Sequence, residues 1–401
     1  MKKTLLAAAM TAPLAMAHAA APDASSLSIG GFGTLGAAVS DTGDVQFARY
    51  NQAVGVKDSP RIGLDSNLGL QVTYQANDWL SATAQVLTRK STSPEFTTEL
   101  TWAFLRMKVG DETSVRVGRI VVPAFAISDY QNVGYANTMM RPPVELYGQD
   151  PIEGTDGVDV NFQHSLGGVD FTAQAYAGVS RGKLFLQAGG GQVAKFTAPG
   201  YGLALSAEYK PFTVRFAHLR SRFDSRIAPV TALAGALRSA GFSQLGDDIT
   251  LEKKRIHFTS VALGMDWNSI VLQGEYGRRR PQEATYAAAT DAWYVFAGYR
   301  FGKIMPYYAH AAYSNAGSTV NIPAALAKAP PLAAAVGGLL APSEQSSHLV
   351  GVRWDVAKSM ALKVQVDRVH PLKKTGFLSF PKPGAAIGDV TVLGVALDFV
   401  F

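Results

Sequence analysis

Sixteen segments of about ten residues recur along this chain, and short and long connections alternate between them. The segments run near 27–39, 62–75, 79–89, 98–109, 113–119, 156–165, 168–178, 201–210, 212–221, 255–267, 269–279, 291–301, 303–313, 346–355, 359–368 and 389–401. Many alternate cleanly. From Tyr201 to Tyr209 the odd positions are Tyr, Leu, Leu, Ala and Tyr, while the even ones are small or polar. Val158–Gln163 and Val350–Asp355 repeat the scheme. A period of two is the signature of a strand with unlike faces.

The connections decide between architectures. Short ones fall at 76–78, 166–168, 210–212, 268, 302 and 356–358. Long ones fall near 40–61, 90–97, 120–155, 179–200, 222–254, 280–290, 314–345 and 369–388. A soluble sandwich gives no reason for this alternation. A barrel that crosses a bilayer does, with tight turns on one side and long loops on the other. An even strand number puts both termini on the turn side. Hydrophobic residues make up 47% of the chain, yet no later run of 18 apolar residues occurs, so a transmembrane helix is excluded.

Both ends agree. Lys2-Lys3, the apolar stretch 5–17 and Ala17-His-Ala19 form a secretory signal peptide, expected to be cut after Ala19 or one residue later. Residues 20–401 are then one barrel domain of about 380 residues. Loss of two lysines takes the formal charge from +6 to +4, too little to argue for a nucleic-acid partner. With no cysteine there is no disulfide framework. At the far end, Leu393, Val395, Leu397, Phe399 and Phe401 share one face, and Gly394, Ala396 and Asp398 the other. That fits a closing strand with its large residues in lipid. Aromatic pairs about eight residues apart, such as Tyr201 with Tyr209 and Trp293 with Phe301, fit two girdles at the membrane interfaces.

Some stretches break the pattern. Segment 98–109 is apolar on both parities, which suits a subunit contact or a different register. Segment 255–267 changes parity near Thr259-Ser260, which predicts a bulge there. Loops near 228–241 and 323–341 are rich in Ala and Leu and suit short helices; prolines stop the second from spanning.

Two motifs are tempting. Gly31-Phe-Gly33-Thr-Leu-Gly36 matches a dinucleotide fingerprint but runs on into strand-like sequence instead of a helix. Gly178-Val-Ser180-Arg-Gly182 matches a nucleophile elbow, again without the following helix. The histidines lack metal-ligand spacing, and no cofactor, metal site or catalytic residue is expected.

Segment 120–155 is the best candidate for function. It is too apolar for a loop left in water, and Arg141-Pro-Pro143 stiffens it. Two placements suit it, against the lumen wall or as a cap over the mouth; barrel width favours the first. Its charged residues Asp129, Arg141, Glu145, Asp150 and Glu153 are the candidate constriction. Inward parity gives Arg61, Arg89, Arg215, Arg300, Arg353 and Lys363 as pore wall, with Arg106, Arg116 and Arg119 as further wall candidates. Opposed charges across a constriction would set up a transverse field that disfavours apolar solutes.

Taken over its whole length, the chain resembles the trimeric general porins of Gram-negative outer membranes. Arg116-Val-Gly-Arg119, Ser128-Asp-Tyr130 and Arg141-Pro-Pro-Val-Glu-Leu-Tyr-Gly148 look like a porin-like branch with R-x-G-R and RPPVE-x-YG patterns. The third loop lacks the PEFGG-type stretch of the best-known members. The resemblance implies a sixteen-stranded barrel in the outer membrane with the third loop in the lumen. It implies a homotrimer that passes small hydrophilic solutes and ions by passive diffusion, set among lipid and lipopolysaccharide. It also implies that the barrel-assembly machinery reads the ending at Phe401. A channel selective for an anionic or small organic solute is the alternative; a barrel enzyme would need a Ser–His pair that the sequence does not offer.

Overall fold

The computed structural model describes residues 26–186 and 191–401; the expected signal peptide and the first residues after it lie outside the described residues. The strands are β1 (Ser26–Ser40), β2 (Arg61–Ile62), β3 (Asn67–Gln75), β4 (Leu80–Arg89), β5 (Thr97–Lys108) and β6 (Thr113–Val121). Next come β7 (Gly154–Leu166), β8 (Val169–Leu186), β9 (Gln192–Tyr209), β10 (Phe212–Ser225), β11 (Leu251–Trp267) and β12 (Ile270–Pro281). The series ends with β13 (Ala289–Tyr299), β14 (Ile304–Gly317), β15 (Glu344–Ala357), β16 (Met360–Lys373) and β17 (Val390–Val400). From β3 to β17 each strand pairs antiparallel with the next, and β1 pairs with both β3 and β17, so the sheet closes on itself. Sixteen strands form the wall; β2 is a two-residue stub beside β1. Among the described residues no helix is long and apolar enough to cross a membrane.

The burial pattern is inside out, as a bilayer requires. On β17 the exposed side chains are the apolar Leu393 and Val395, while Asp398 on the other face is wholly buried. Lipid contacts the first set, and the second points inward against loop residues. Closure is made by backbone bonds between Gly31 and Phe401 (2.9 and 3.0 Å) and by the rings of Phe399 and Phe401, which lie over Gly33 and Gly31. The first glycine-rich match is thus a strand face that receives aromatic rings. The second lies wholly inside β8, with Ser180 buried, so it forms no strand-to-helix elbow.

All sixteen expected segments are strands, with corrections. The expected loop 179–200 is mostly wall: β8 and β9 continue as a tall hairpin to Leu186 and from Gln192. Its glycine and basic residues hid the strands. No bulge exists at Thr259-Ser260, where register is continuous on both sides. The parity change there is chemical: outward positions turn from apolar to polar. The irregularity lies between Phe223 and Ser225, across from Lys253 with φ +55°. In 98–109 the ladder skips Thr101, so a bulge flips the parity and sends Trp102 and Phe104 inward.

The expected helices are present as α2 (Ala228–Ser239) and α4 (Pro330–Leu340), with α3 (Ser243–Asp248) beside α2. They pack through Ala234, Leu237, Leu245, Leu326 and Val336. The first long loop turns inward, where Phe47 and Val56 join Leu378 and Val390. Its tip reaches β8, with Asn51 bonded to the backbone of Lys183 (2.9 Å) and Phe185 (2.7 Å).

Candidate functional site in the barrel lumen

The long loop after β6 carries α1 (Val144–Tyr147) and lies against inward-facing side chains of the wall. Its first turn is tied to β10–β12. Arg215 donates to the Pro123 carbonyl (2.9 Å), Ser260 to the Ala124 carbonyl (2.6 Å), and the Ala126 amide to Glu275 (2.9 Å). Phe125 stacks edge-on against Phe258 and packs on Tyr147. Burial, with Glu275 beside it, holds the Tyr147 hydroxyl far above the ordinary tyrosine range.

The middle of the loop is fastened to β15–β17 and β1. Lys363 donates to the carbonyls of Gly134 (2.7 Å) and Asn137 (2.6 Å) and pairs with Asp398 at 2.8 Å. Arg353 donates to the carbonyls of Tyr135 (2.7 Å) and Asn137 (2.9 Å). Arg141 grips Asp65 through two bonds (2.7 and 3.0 Å) and also binds Asp367. Burial opposes its charge, but the two carboxylates outweigh that and hold the guanidinium above the usual arginine value. Glu145, 1% exposed, accepts from Gln345 (2.6 Å) and Ser347. Four expected site residues are therefore buried fasteners: Arg141, Glu145, Arg353 and Lys363. Each is paired or bonded, as buried charge must be.

The inward arginines of β4–β6, and Arg215 on β10, stay only partly buried. Arg89 pairs with Glu153 (2.7 Å) and bonds Asn132 (3.0 Å). Arg116 is neutralised by Asp159, which also accepts from Gln174 (2.8 Å). Arg106 stands beside Arg116 in register and has no carboxylate partner among the described residues. Arg215 keeps one buried nitrogen without a partner. From residue 120 to residue 150, Asp129 alone is exposed, within electrostatic range of Arg116 and Arg215. Asp150 sits deeper, accepting from the Ile152 amide (3.0 Å); burial pushes its carboxyl up to about 6, with Arg279 partly opposing.

Three expected wall residues lie elsewhere. Arg61 is at the mouth, donating to the Gly55 carbonyl (3.1 Å) of the first loop. Arg300 is at the turn end with Asp266 (2.6 Å). Arg119 is a correction: it shares the outward face of β6 with the exposed Val117 and pairs outside with Asp156 (2.7 Å). Counting parity from Arg116 puts residue 119 on the other face. Sequence reasoning missed Glu275, Arg279 and Asp65. The first two share an inward parity with Gln273 on β12 and were findable that way. Asp65 lies between β2 and β3, where no period exists to read.

The sequence profile of the Gram-negative porins matches residues 4–369. The chain belongs to the Gram-negative porin family. This porin has no match among proteins of curated function. Its barrel resembles the trimer form of in-vitro folded OmpT, an outer membrane protein of Vibrio cholerae (12% identity, 94% of this chain and 100% of that chain, TM-score 0.56). It also resembles an anion-selective porin from Comamonas acidovorans (12%, 94% and 100%, 0.54). A third is the outer membrane channel DcaP of Acinetobacter baumannii (12%, 94% and 97%, 0.56). At these identities the likeness is one of fold. Family and architecture together make this protein an outer-membrane channel.

Proposed function

We propose that this porin passes small hydrophilic solutes and ions by passive diffusion, through a passage between Asp129 on the loop and Arg106, Arg116 and Arg215 on the wall. One observation supports the reading: the loop is fastened to the wall from β10 to β17, while its single exposed side chain between 120 and 150, Asp129, lies within electrostatic range of Arg116 and Arg215. In this reading the loop, held against the wall from β10 to β17, narrows the lumen without plugging it. In this reading the protein works as a passive channel, with no bond-breaking step. The homotrimer, contact with lipid and lipopolysaccharide, and recognition of Phe401 by the assembly machinery belong to the same reading.

A lean toward anions has its own support. Arg89 and Arg116 carry carboxylate partners, which leaves Arg106 and Arg215 against Asp129. The Comamonas porin is described as anion-selective. The test is single-channel recording in planar bilayers under a salt gradient. Stable conductance steps with a reversal potential on the anion side are expected. Absence of steps would reject the channel reading, and a cation-side potential would reject the lean toward anions.

A further inference from the structure

The inner face of β5 carries three unlike side chains at alternate positions: Trp102, Phe104 and Arg106. The bulge at Thr101 sets that parity. The lumen side of a water-filled barrel is polar, so two half-buried aromatic rings on it stand out. Their centroids lie 6.3 Å apart, with planes 49° from parallel. Rings so inclined form an open angle. A third ring can stack on one and meet the other edge-on, the two arrangements that aromatic pairs favour.

The wall beside Phe104 is bare. Its row continues in register through Gly118, Gly157, Gly178 and Gly200, so four strands in succession put no side chain there. A wall of backbone lets a flat molecule lie close.

The polar atoms of this stretch lack partners. Gln85, across from Trp102, is already bonded to Gln71 (2.9 Å) and Thr101 (2.9 Å). The Trp102 indole N–H has no acceptor among the described residues. Arg106 stands between Ser81 and Arg116 in register. The next carboxylate along that row, Asp159, is taken by Arg116, Gln174 (2.8 Å) and Asn161 (2.9 Å). Arg106 itself makes no ion pair or hydrogen bond among the described residues. It lies two strand positions from Phe104, about 7 Å along the chain. A carboxylate borne on a benzene ring and paired with a guanidinium spans about the same distance, from ring centre to guanidinium carbon.

We propose that Trp102, Phe104 and Arg106 form a subsite for aromatic carboxylates in transit, solutes of the benzoate class. The ring lies in the angle between Trp102 and Phe104, and Arg106 takes the carboxylate through two parallel N–H bonds. The inference rests on the channel reading above. It adds a preference that charge alone does not give: of two anions equal in charge and size, the one with a π face binds tighter.

The test is single-channel recording in planar bilayers, with benzoate added at fixed chloride. Benzoate should interrupt the chloride current, and the block should saturate as its concentration rises. Cyclohexanecarboxylate, alike in charge and size but without a π face, should need roughly fivefold more for the same block. Trp102→Leu and Phe104→Leu together should erase that difference. Arg106→Gln should weaken block by both acids roughly tenfold. Trp293→Leu, on the lipid face of β13, should leave the block as in wild type. Equal block by the two acids in the wild type would overturn the proposal, whether or not the variants fold. So would a benzoate preference kept by the folded double variant. Wild-type protein without conductance steps would reject the channel reading and this inference together, whereas steady steps that benzoate leaves untouched would overturn this inference alone.

Discussion

Arg141 and Asp65 join through two bonds, Nη2 to Oδ2 at 2.7 Å and Nε to Oδ1 at 3.0 Å, with both side chains buried. The arginine belongs to the lumen loop and the aspartate to the chain just before β3. Asp367 of β16 completes the grip from the neighbouring wall. The loop's strongest attachment is therefore a loop cation in a wall of acids, the reverse of the expected loop acids facing wall arginines.

Removing one partner from this triad strands charge in a dry place. Arg141→Met should lower stability by on the order of 3–5 kcal/mol. Urea unfolding of the protein folded into vesicles, followed by tryptophan fluorescence, measures it. Currents through the variant should be noisier, because the middle of the loop loses a tether. Adding Asp65→Asn and Asp367→Asn should recover most of the loss. A cost under about 1 kcal/mol for Arg141→Met would show that the triad is not a fastener.

What could be read from the sequence, and what could not, divides along physical lines. Strand number and wall parity were legible because lipid imposes a strict period of two on residues such as Leu393 and Val395. The third loop stood out because Val121 to Ile127 is too apolar for water. The roles of Arg141, Glu145, Arg353 and Lys363 were not legible, since parity says that a charge points inward but not whether a loop covers it. Lys363 is fully buried while Arg106 is not, and nothing in their local sequence separates them. Arg116 and Arg119 cannot both be wall residues, because three steps along a strand reverse the face.

Asp150 gives the loop a pH dependence. Its carboxyl titrates near 6 in the folded protein, against an ordinary value of 3.8, chiefly because it is buried. The unfolded chain releases this proton at lower pH than the folded one. The contribution to stability is thus fully present below about pH 4 and is lost as pH rises through 6. Wild type should lose on the order of 2 kcal/mol from this group between pH 4 and pH 7.5. Asp150→Asn should remove that part of the slope. Parallel pH profiles for the two proteins would contradict the assignment.

Selectivity should answer to the few charges that remain without close partners. Asp129→Asn removes the exposed loop carboxylate and should raise the anion-to-cation permeability ratio about tenfold, since a unit charge about 6 Å away in water is worth on the order of 0.7 kcal/mol, with opposite sign for the two ions. Arg106→Gln should shift the ratio the other way by a similar factor. Both shifts should shrink in 1 M salt, where screening acts within about 3 Å. Reversal potentials at low and high salt provide the measurement. Unchanged ratios in both variants would move the constriction away from this arc.

Gly118 explains the glycine of the Arg116-Val-Gly-Arg119 run. Its φ of +133° lies where side chains are rarely tolerated. A Cβ there would press on the Ala103 carbonyl and come within 2.8 Å of the Phe104 Cα. Those are backbone atoms of β5, paired in register with β6, and they cannot swing aside. The same two strands carry Arg106, Phe104 and Arg116, whose guanidinium lies 5.2 Å from the Phe104 ring. Gly118→Ala should therefore cost on the order of 2–4 kcal/mol. It should also spread the conductance steps, because it shifts the wall that bears Arg106 and Arg116. Val117→Ala, one residue away on the lipid face, should cost under about 1.5 kcal/mol and leave the steps sharp. Equal behaviour of the two variants would show that the close approach of β5 to β6 at Gly118 is not what shapes this side of the passage.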